Sequence, residues 1–292
     1  MTEEKVKFRL KGHESFILRE GWLTKGLIAV HDNPGVFAEN FGADELGVGT
    51  NMAKAIRYWM RCGALTVEEA RGQVHLSKLG EYLLREDAYF EDLFSLWLIH
   101  IEVAKNFKQA SVWYAFFNLF ERESFTRREL EAEMGEIMDR KTHHAEFSRK
   151  SLQDDCEALL QMYTGKHYPG TDPEEKKISP FYRLGLLREL DGGYRREQPD
   201  GKKLSCLTVL YVMQEIMEEE QGYFQISVEK LLNGEKSPGK ILQMRRSFLM
   251  QYLEELQQKN YITLNRTAGL DMVYQQRIFT QEEILRDYFG GK

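Results

Sequence analysis

The sequence predicts a mainly α protein, with winged helix-turn-helix units and small β wings around a central helical region. Three observations predict it. From Ala43 to Gly63 (A-D-E-L-G-V-G-T-N-M-A-K-A-I-R-Y-W-M-R-C-G) a short helix, a glycine turn and a longer helix follow one another. Near the C-terminus, helices again precede two short extended pieces. The chain also has only 6 prolines and 29% charged residues, a balance that suits helices.

Residues 1–20 read as extended or irregular, and K-V-K-F-R-L (5–10) alternates like a short strand. Trp22 to His31 has a helical apolar pattern at Trp22, Leu23, Leu27, Ile28 and Val30, and Asn33-Pro34-Gly35 stops it. Asp44-Glu45-Leu46 closes a short helix at Gly47-Val48-Gly49. On the next helix, Thr50, Asn51, Lys54, Arg57, Tyr58 and Arg61 fall on one face at about 100° per residue. Met52, Ala53, Ala55, Ile56, Trp59 and Met60 fill the other. A face meant only for solvent mixes signs, because Glu and Lys four apart support a helix. This face has three cations and no acid. Two short extended pieces around Gly72 follow, and Ser77 caps a helix from Lys78 to Arg85. The order defines an N-terminal winged-helix DNA-binding domain over residues 1–88.

A central helical region spans 89–175. Its first part is crowded with aromatic residues, from Tyr89 to Phe120, at helical spacing. Buried core is the expected role, with a base-stacking platform as the alternative. Thr126-Arg127-Arg128-Glu129 is a capping box that opens a helix to Arg140. Ser148 to Tyr163 is another helix, with Leu152, Cys156, Leu159, Leu160 and Tyr163 inward. Gly165 to Lys177 is a linker by composition. The remainder, 176–292, is a winged-helix-like domain. It has a turn at Asp191-Gly192-Gly193-Tyr194, helices at Leu204–Glu220, Ser227–Leu232 and Gln243–Lys259, and strands near 261–264 and 272–274.

The net charge of −6 excludes a generally basic nucleic-acid binder, so any DNA contact comes from a local patch. Cys62, Cys156 and Cys206 are far apart and odd in number, which fits neither a disulfide framework nor a zinc site. With no signal peptide at the N-terminus and no apolar run near about 18 residues, the expected location is the cytoplasm.

The basic face is the first candidate site: cations to phosphates, Asn51 and Arg57 to base edges. Thr50, Asn51, Lys54, Arg57 and Arg61 are its DNA-binding candidates. His13 and Glu14 are catalytic candidates, as a base beside a carboxylate. Adjacent residues of an extended segment point to opposite sides, which favours a structural role for His13. Asp154 and Asp155, with Glu157, form the best local carboxylate set for magnesium, the ion that phosphodiester cleavage commonly uses. His143-His144 lacks further ligands at metal spacing. Glu174-Glu175-Lys176 has a nuclease-like spacing but sits in the linker. No phosphate loop, serine elbow or dinucleotide fingerprint is present, which argues against ATP use and serine hydrolysis.

Several blocks together resemble a bacterial family encoded in defence islands beside PAPS-reductase-like sulfur-transfer enzymes. They are G-H-E-S-F (12–16) with Arg19, G-W-L-T-K-G (21–26), L-G-V-G-T-N-M-A-K-A-I-R-Y-W (46–59), S-P-F-Y-R-L-G-L-L (179–187), S-P-G-K-I-L (237–242) and T-A-G-L (267–270). The resemblance covers most of the chain, and the 46–59 block is its most specific part. It implies a DNA-binding component of a bacterial DNA phosphorothioation system, acting as a magnesium-dependent DNA nicking endonuclease. The implied partners are DNA, a cysteine desulfurase, an ATP-pyrophosphatase and an ATPase. Binding carries over to Asn51, Lys54 and Arg57, and no catalytic residue does. Arg183 stands where the family pattern would have an acid, so no carboxylate role carries over there. The alternatives are a non-catalytic DNA-recognition adaptor for the sulfur-transfer enzymes and a winged-helix transcriptional regulator.

Overall fold

A computed structural model describes residues 6–69, 72–165, 178–219, 225–267, 270–275 and 277–291. The described residues are mostly helical, with three small antiparallel sheets among them. The chain divides into two compact units, 1–197 and 198–292.

At the described start of the first unit, residues 6–10 form no strand. Arg9 N–H donates to Ser111 Oγ at 2.8 Å, and nearby Lys11 N–H donates to Asp155 at 2.9 Å. A backbone group satisfied this way has no ladder to join, so the strand expected over 5–10 is absent at the described positions.

Helix α1 (Trp22–Asp32) is followed by a 3-10 turn (Asn40–Gly42), α2 (Ala43–Leu46) and α3 (Thr50–Cys62). Gly47 ends α2 at φ +61°, a left-handed backbone that glycine adopts without penalty. Strands β1 (Thr66–Glu68) and β2 (Val74–Leu76) pair antiparallel, with Val67 opposite His75. α4 (Lys78–Glu86) starts on Ser77, whose hydroxyl accepts from Gly80 N–H at 3.0 Å.

The unit's centre is α5 (Leu93–Lys105) and α6 (Ser111–Asn118). α5 is apolar on every side, which marks a fully surrounded helix. Trp97, Leu98, Ile99, Trp113, Phe116 and Phe117 are all buried, so the helical part of this aromatic run is core, while Tyr89 at its start is 74% exposed. Strand β3 (Ser124–Phe125) precedes α7 (Arg127–Lys141), and both bonds of the Thr126/Glu129 capping box form. α8 (Arg149–Thr164) packs on α7 and buries Leu152, Cys156, Leu159, Leu160 and Tyr163, the five expected positions. A 3-10 turn (Pro180–Leu184) leads to β4 (Leu187–Leu190) and β5 (Gly193–Arg196). β5 is the middle strand of a sheet ordered β3-β5-β4, which ties 187–196 to the first unit. Of the predicted linker, Gly165 to Lys177, residues 166–177, with Glu174, Glu175 and Lys176, lie outside the described residues.

The second unit runs α9 (Cys206–Glu219), β6 (Gln225–Ser227), α10 (Val228–Asn233), α11 (Pro238–Ile241), α12 (Arg246–Gln258), β7 (Thr263–Thr267), β8 (Leu270–Tyr274) and α13 (Gln281–Phe289). Its sheet is ordered β6-β8-β7, so the strand that precedes α10 pairs with the last strand of the hairpin. Among the described residues, no helix is long and apolar enough to cross a membrane.

Candidate nucleic-acid interface

α3 is held by its apolar side. Ala53, Ala55, Ile56, Trp59 and Met60 are buried, and Trp59 Nε1 donates to Phe16 O at 3.0 Å. The opposite side borders a cavity of about 340 Å³, lined among others by Arg9, Lys54, Arg57, Tyr58, Arg61 and Glu68. Three predicted site residues, Lys54, Arg57 and Arg61, therefore line one concavity. Asn51 is exposed one turn before Lys54, whose Nζ donates to Asn51 Oδ1 at 3.4 Å. Thr50 is turned aside, its hydroxyl donating to Asn40 Oδ1 at 3.0 Å.

Tyr58 departs from the helical-wheel reading. It is 3% exposed, and its hydroxyl donates to Gln109 O at 2.9 Å. The N-terminal segment packs over it so tightly that a Cβ on Gly12 would lie 2.3 Å from its ring. Burial raises the Tyr58 phenol well above its usual value, and pushes the neighbouring Cys62 thiol up to about 12. Neither group is charged near neutrality.

Sequence reasoning misses three cavity residues. Arg9 arrives from an irregular segment, Phe41 from the 3-10 turn and Glu68 from β1. Only the basic alternation of K-V-K-F-R-L hints at Arg9. Glu68 matters most to the electrostatics, because its Oε1 lies 3.0 Å from Arg57 and 3.4 Å from Arg61. Lys54 Nζ sits 4.6 Å from the Phe41 ring centroid, a cation–π contact.

His13 and Glu14 separate. Glu14 lines the cavity, while His13 is fully buried. The segment turns here, with Lys11 and Glu14 at φ +56° and +51°. His13 Nε2 meets Asp155 Oδ1 at 2.8 Å, and the imidazole stacks on Trp59 at 5.8 Å and 14°. The ring is closed to solvent. His13 is a structural post that joins the N-terminal segment, α3 and α8.

Asp154 and Asp155 do not fit a magnesium site. Asp154 takes the Lys11 ammonium at 2.7 Å and the Lys150 ammonium at 2.8 Å, one on each oxygen. The hydrogen bond from Lys11, then that from Lys150, holds its carboxyl below the usual range. Asp155 is 2% exposed and its oxygens already face His13 and Lys11 N–H. Burial pushes the Asp155 carboxyl up, against the His13 hydrogen bond. A hard cation needs several open oxygens and room for water. Among the described residues, no group of three His, Cys, Asp or Glu side chains is arranged to hold a metal ion. His144 Nδ1 is instead paired with Asp139 at 2.7 Å, exposed to solvent.

Arg183 has a structural task too. Its guanidinium donates to Phe90 O at 3.0 Å and Glu91 O at 2.6 Å, fastening the second 3-10 turn to the loop before α5.

A mostly helical protein with a cationic, aromatic-walled cavity on its third helix is thus defined by its own coordinates. The chain belongs to the family described as protein of unknown function (DUF4007), whose model it matches over residues 10–289. Comparison with curated proteins gives no match. Two solved structures share the fold. One is an SspB crystal structure, with a TM-score of 0.83 and 23% identity, covering 98% of this chain and 89% of that one. The other is a magnesium-ion-bound SspB crystal structure, with a TM-score of 0.80 and 23% identity, covering 96% and 93%.

Proposed function

We propose that this chain is the DNA-binding component of a bacterial DNA phosphorothioation system, and that α3 with its cavity is the surface that meets DNA. The observation that carries this reading is the gathering of Arg9, Lys54, Arg57 and Arg61 around one cavity in a protein of net charge −6. Four cations line the cavity against two carboxylates, Glu14 and Glu68, and this local excess of positive charge on an acidic chain suits an anionic partner. The fold shared with SspB supports the biological setting.

In this reading residues 1–88 are a winged helix-turn-helix domain. The order α1, α2, α3 and then the β1-β2 hairpin supports it. The second unit is a winged helix as well, since β6 lies between α9 and α10 in sequence and pairs with β8 of the terminal hairpin. The role is recognition. It delivers DNA to the partners the family resemblance implies: a cysteine desulfurase, an ATP-pyrophosphatase and an ATPase. The magnesium ion of one SspB structure belongs to that protein. Here Asp154 and Asp155 are engaged by lysines and by His13, so no cleavage step is drawn through them.

The test is the salt dependence of DNA affinity. Fluorescence anisotropy on a duplex of random sequence is expected to give log Kd rising with log salt at a slope of roughly 3, about 0.9 per phosphate neutralised. No binding at low salt contradicts the reading. A promoter-specific regulator would prefer one sequence by orders of magnitude. Incubating supercoiled plasmid with magnesium or with EDTA separates adaptor from nickase. The expected result is no open-circle product in either, and metal-dependent nicking would overturn the purely recognitional role.

A further inference from the structure

The cavity in front of α3 is shaped for something narrower than a duplex. A helix that reads the major groove stands proud of its surroundings and enters a groove about 12 Å wide. α3 does not stand proud. The side chains of Arg57 and Arg61 are only 27% and 26% exposed, and they share the cavity wall with Arg9, Gly12, Glu14, Phe41 and Glu68. The cavity volume, about 340 Å³, lies at the small end of ligand sites and is on the scale of a single nucleotide.

The lining matches that size. Phe41 is a large aromatic side chain left 42% exposed. Its backbone is left-handed at φ +55°, as is that of Glu14 across the cavity at φ +51°. Non-glycine residues rarely keep that conformation, and such outliers gather at ligand clamps. Opposite the ring, Lys54 occupies the face on which a base would stack. Arg57 and Arg61 share one carboxylate oxygen of Glu68. Arg61 Nε, buried, is a donor with no hydrogen-bond partner among the described residues. Two arginines converging on one oxygen, with a donor to spare, suit a phosphate better than a single carboxylate.

We propose that this cavity receives one unpaired nucleotide of a DNA strand. Its phosphate sits on Arg57 and Arg61 in place of Glu68, and its base stacks on Phe41 in place of the Lys54 ammonium. Glu68 is then a built-in competitor that keeps the arginines paired until a strand displaces it. The proposal rests on the DNA-binding reading and narrows it from duplex to exposed nucleotide. A free nucleotide or inorganic phosphate carries the same phosphate chemistry, so the test separates these sources.

Fluorescence anisotropy of the full chain is measured with three probes of equal length: a fully paired duplex, the same duplex with one central unpaired nucleotide, and the single strand. The unpaired and single-stranded probes are expected to bind roughly tenfold or more tightly than the paired one, the size of one stacked base. Phe41→Leu is expected to remove that preference for unpaired probes. Glu68→Gln is expected to tighten binding of the unpaired probe severalfold. Equal affinity for paired and unpaired probes, with Phe41→Leu silent, overturns the proposal and leaves DNA binding standing. Binding to none of the probes overturns both. Displacement of the strand by deoxyadenosine monophosphate or by inorganic phosphate, at concentrations near the strand's own Kd, overturns the DNA source in favour of a free ligand. The comparison of probes on the unmodified chain needs no variant to fold.

Discussion

At the residue scale, the N-terminal segment is pinned by a few side chains whose roles differ from what their types suggest. His13, a catalytic candidate in sequence, and Asp155, a metal candidate, form a buried pair 2.8 Å apart. Removing one partner of such a pair strands the other, so His13→Ala is expected to lower stability by about 3 kcal/mol or more, measured by urea unfolding. Gly12→Ala should destabilise too, because a methyl group there meets the Tyr58 ring. Asp154 gives a pH test. Its folded-state pKa is depressed by Lys11 and Lys150, so its contribution is complete above the unfolded value near 4 and fades as pH falls through the folded one. Thermal melts between pH 5 and about 2 should therefore fall less steeply for Asp154→Asn than for the unmodified chain. Parallel slopes would remove that clasp from the description. The pairings of Lys11 and His13 with Asp154 and Asp155 were not legible in sequence, since each joins positions more than a hundred residues apart.

At the scale of elements, local signals carried well and non-local ones did not. The caps at Ser77, Thr126 and Ser148 marked helix starts because a hydroxyl one turn before an apolar run satisfies a backbone donor by local geometry alone. Thr280 with Glu283 forms the same reciprocal box and starts α13, a helix that the sequence reading did not place. Thr126→Ala and Thr280→Ala should each lower stability by about 1 kcal/mol in chemical denaturation. By contrast, β3 is two residues long and exists because β5, some seventy positions later, pairs with it. Nothing within Ser124-Phe125 encodes that. α3 itself shows both sides. Its boundaries and apolar face follow from periodicity, but the recess of its cationic face depends on Arg9, Phe41 and Glu68 from three other elements. The burial of Tyr58 beneath the Gly12 turn has the same origin.

At the scale of the whole molecule, the two units, the helical core and the family membership place the chain on a fold shared with SspB. What the molecule does turns on one local excess of positive charge against a net charge of −6. The best carboxylate pair in the sequence, Asp154 and Asp155, is spent on holding the N-terminal segment. Burial also accounts for all three cysteines, Cys62, Cys156 and Cys206, which are free thiols inside the protein. The most direct measurement is DNA retardation by the Lys54→Glu, Arg57→Glu double variant beside the unmodified chain, with a thermal melt of each. Loss of retardation with a midpoint within a few degrees of the unmodified chain is the expected result, since half-exposed ion pairs contribute little to stability. Full retardation by a folded double variant would contradict α3 as the surface that meets DNA.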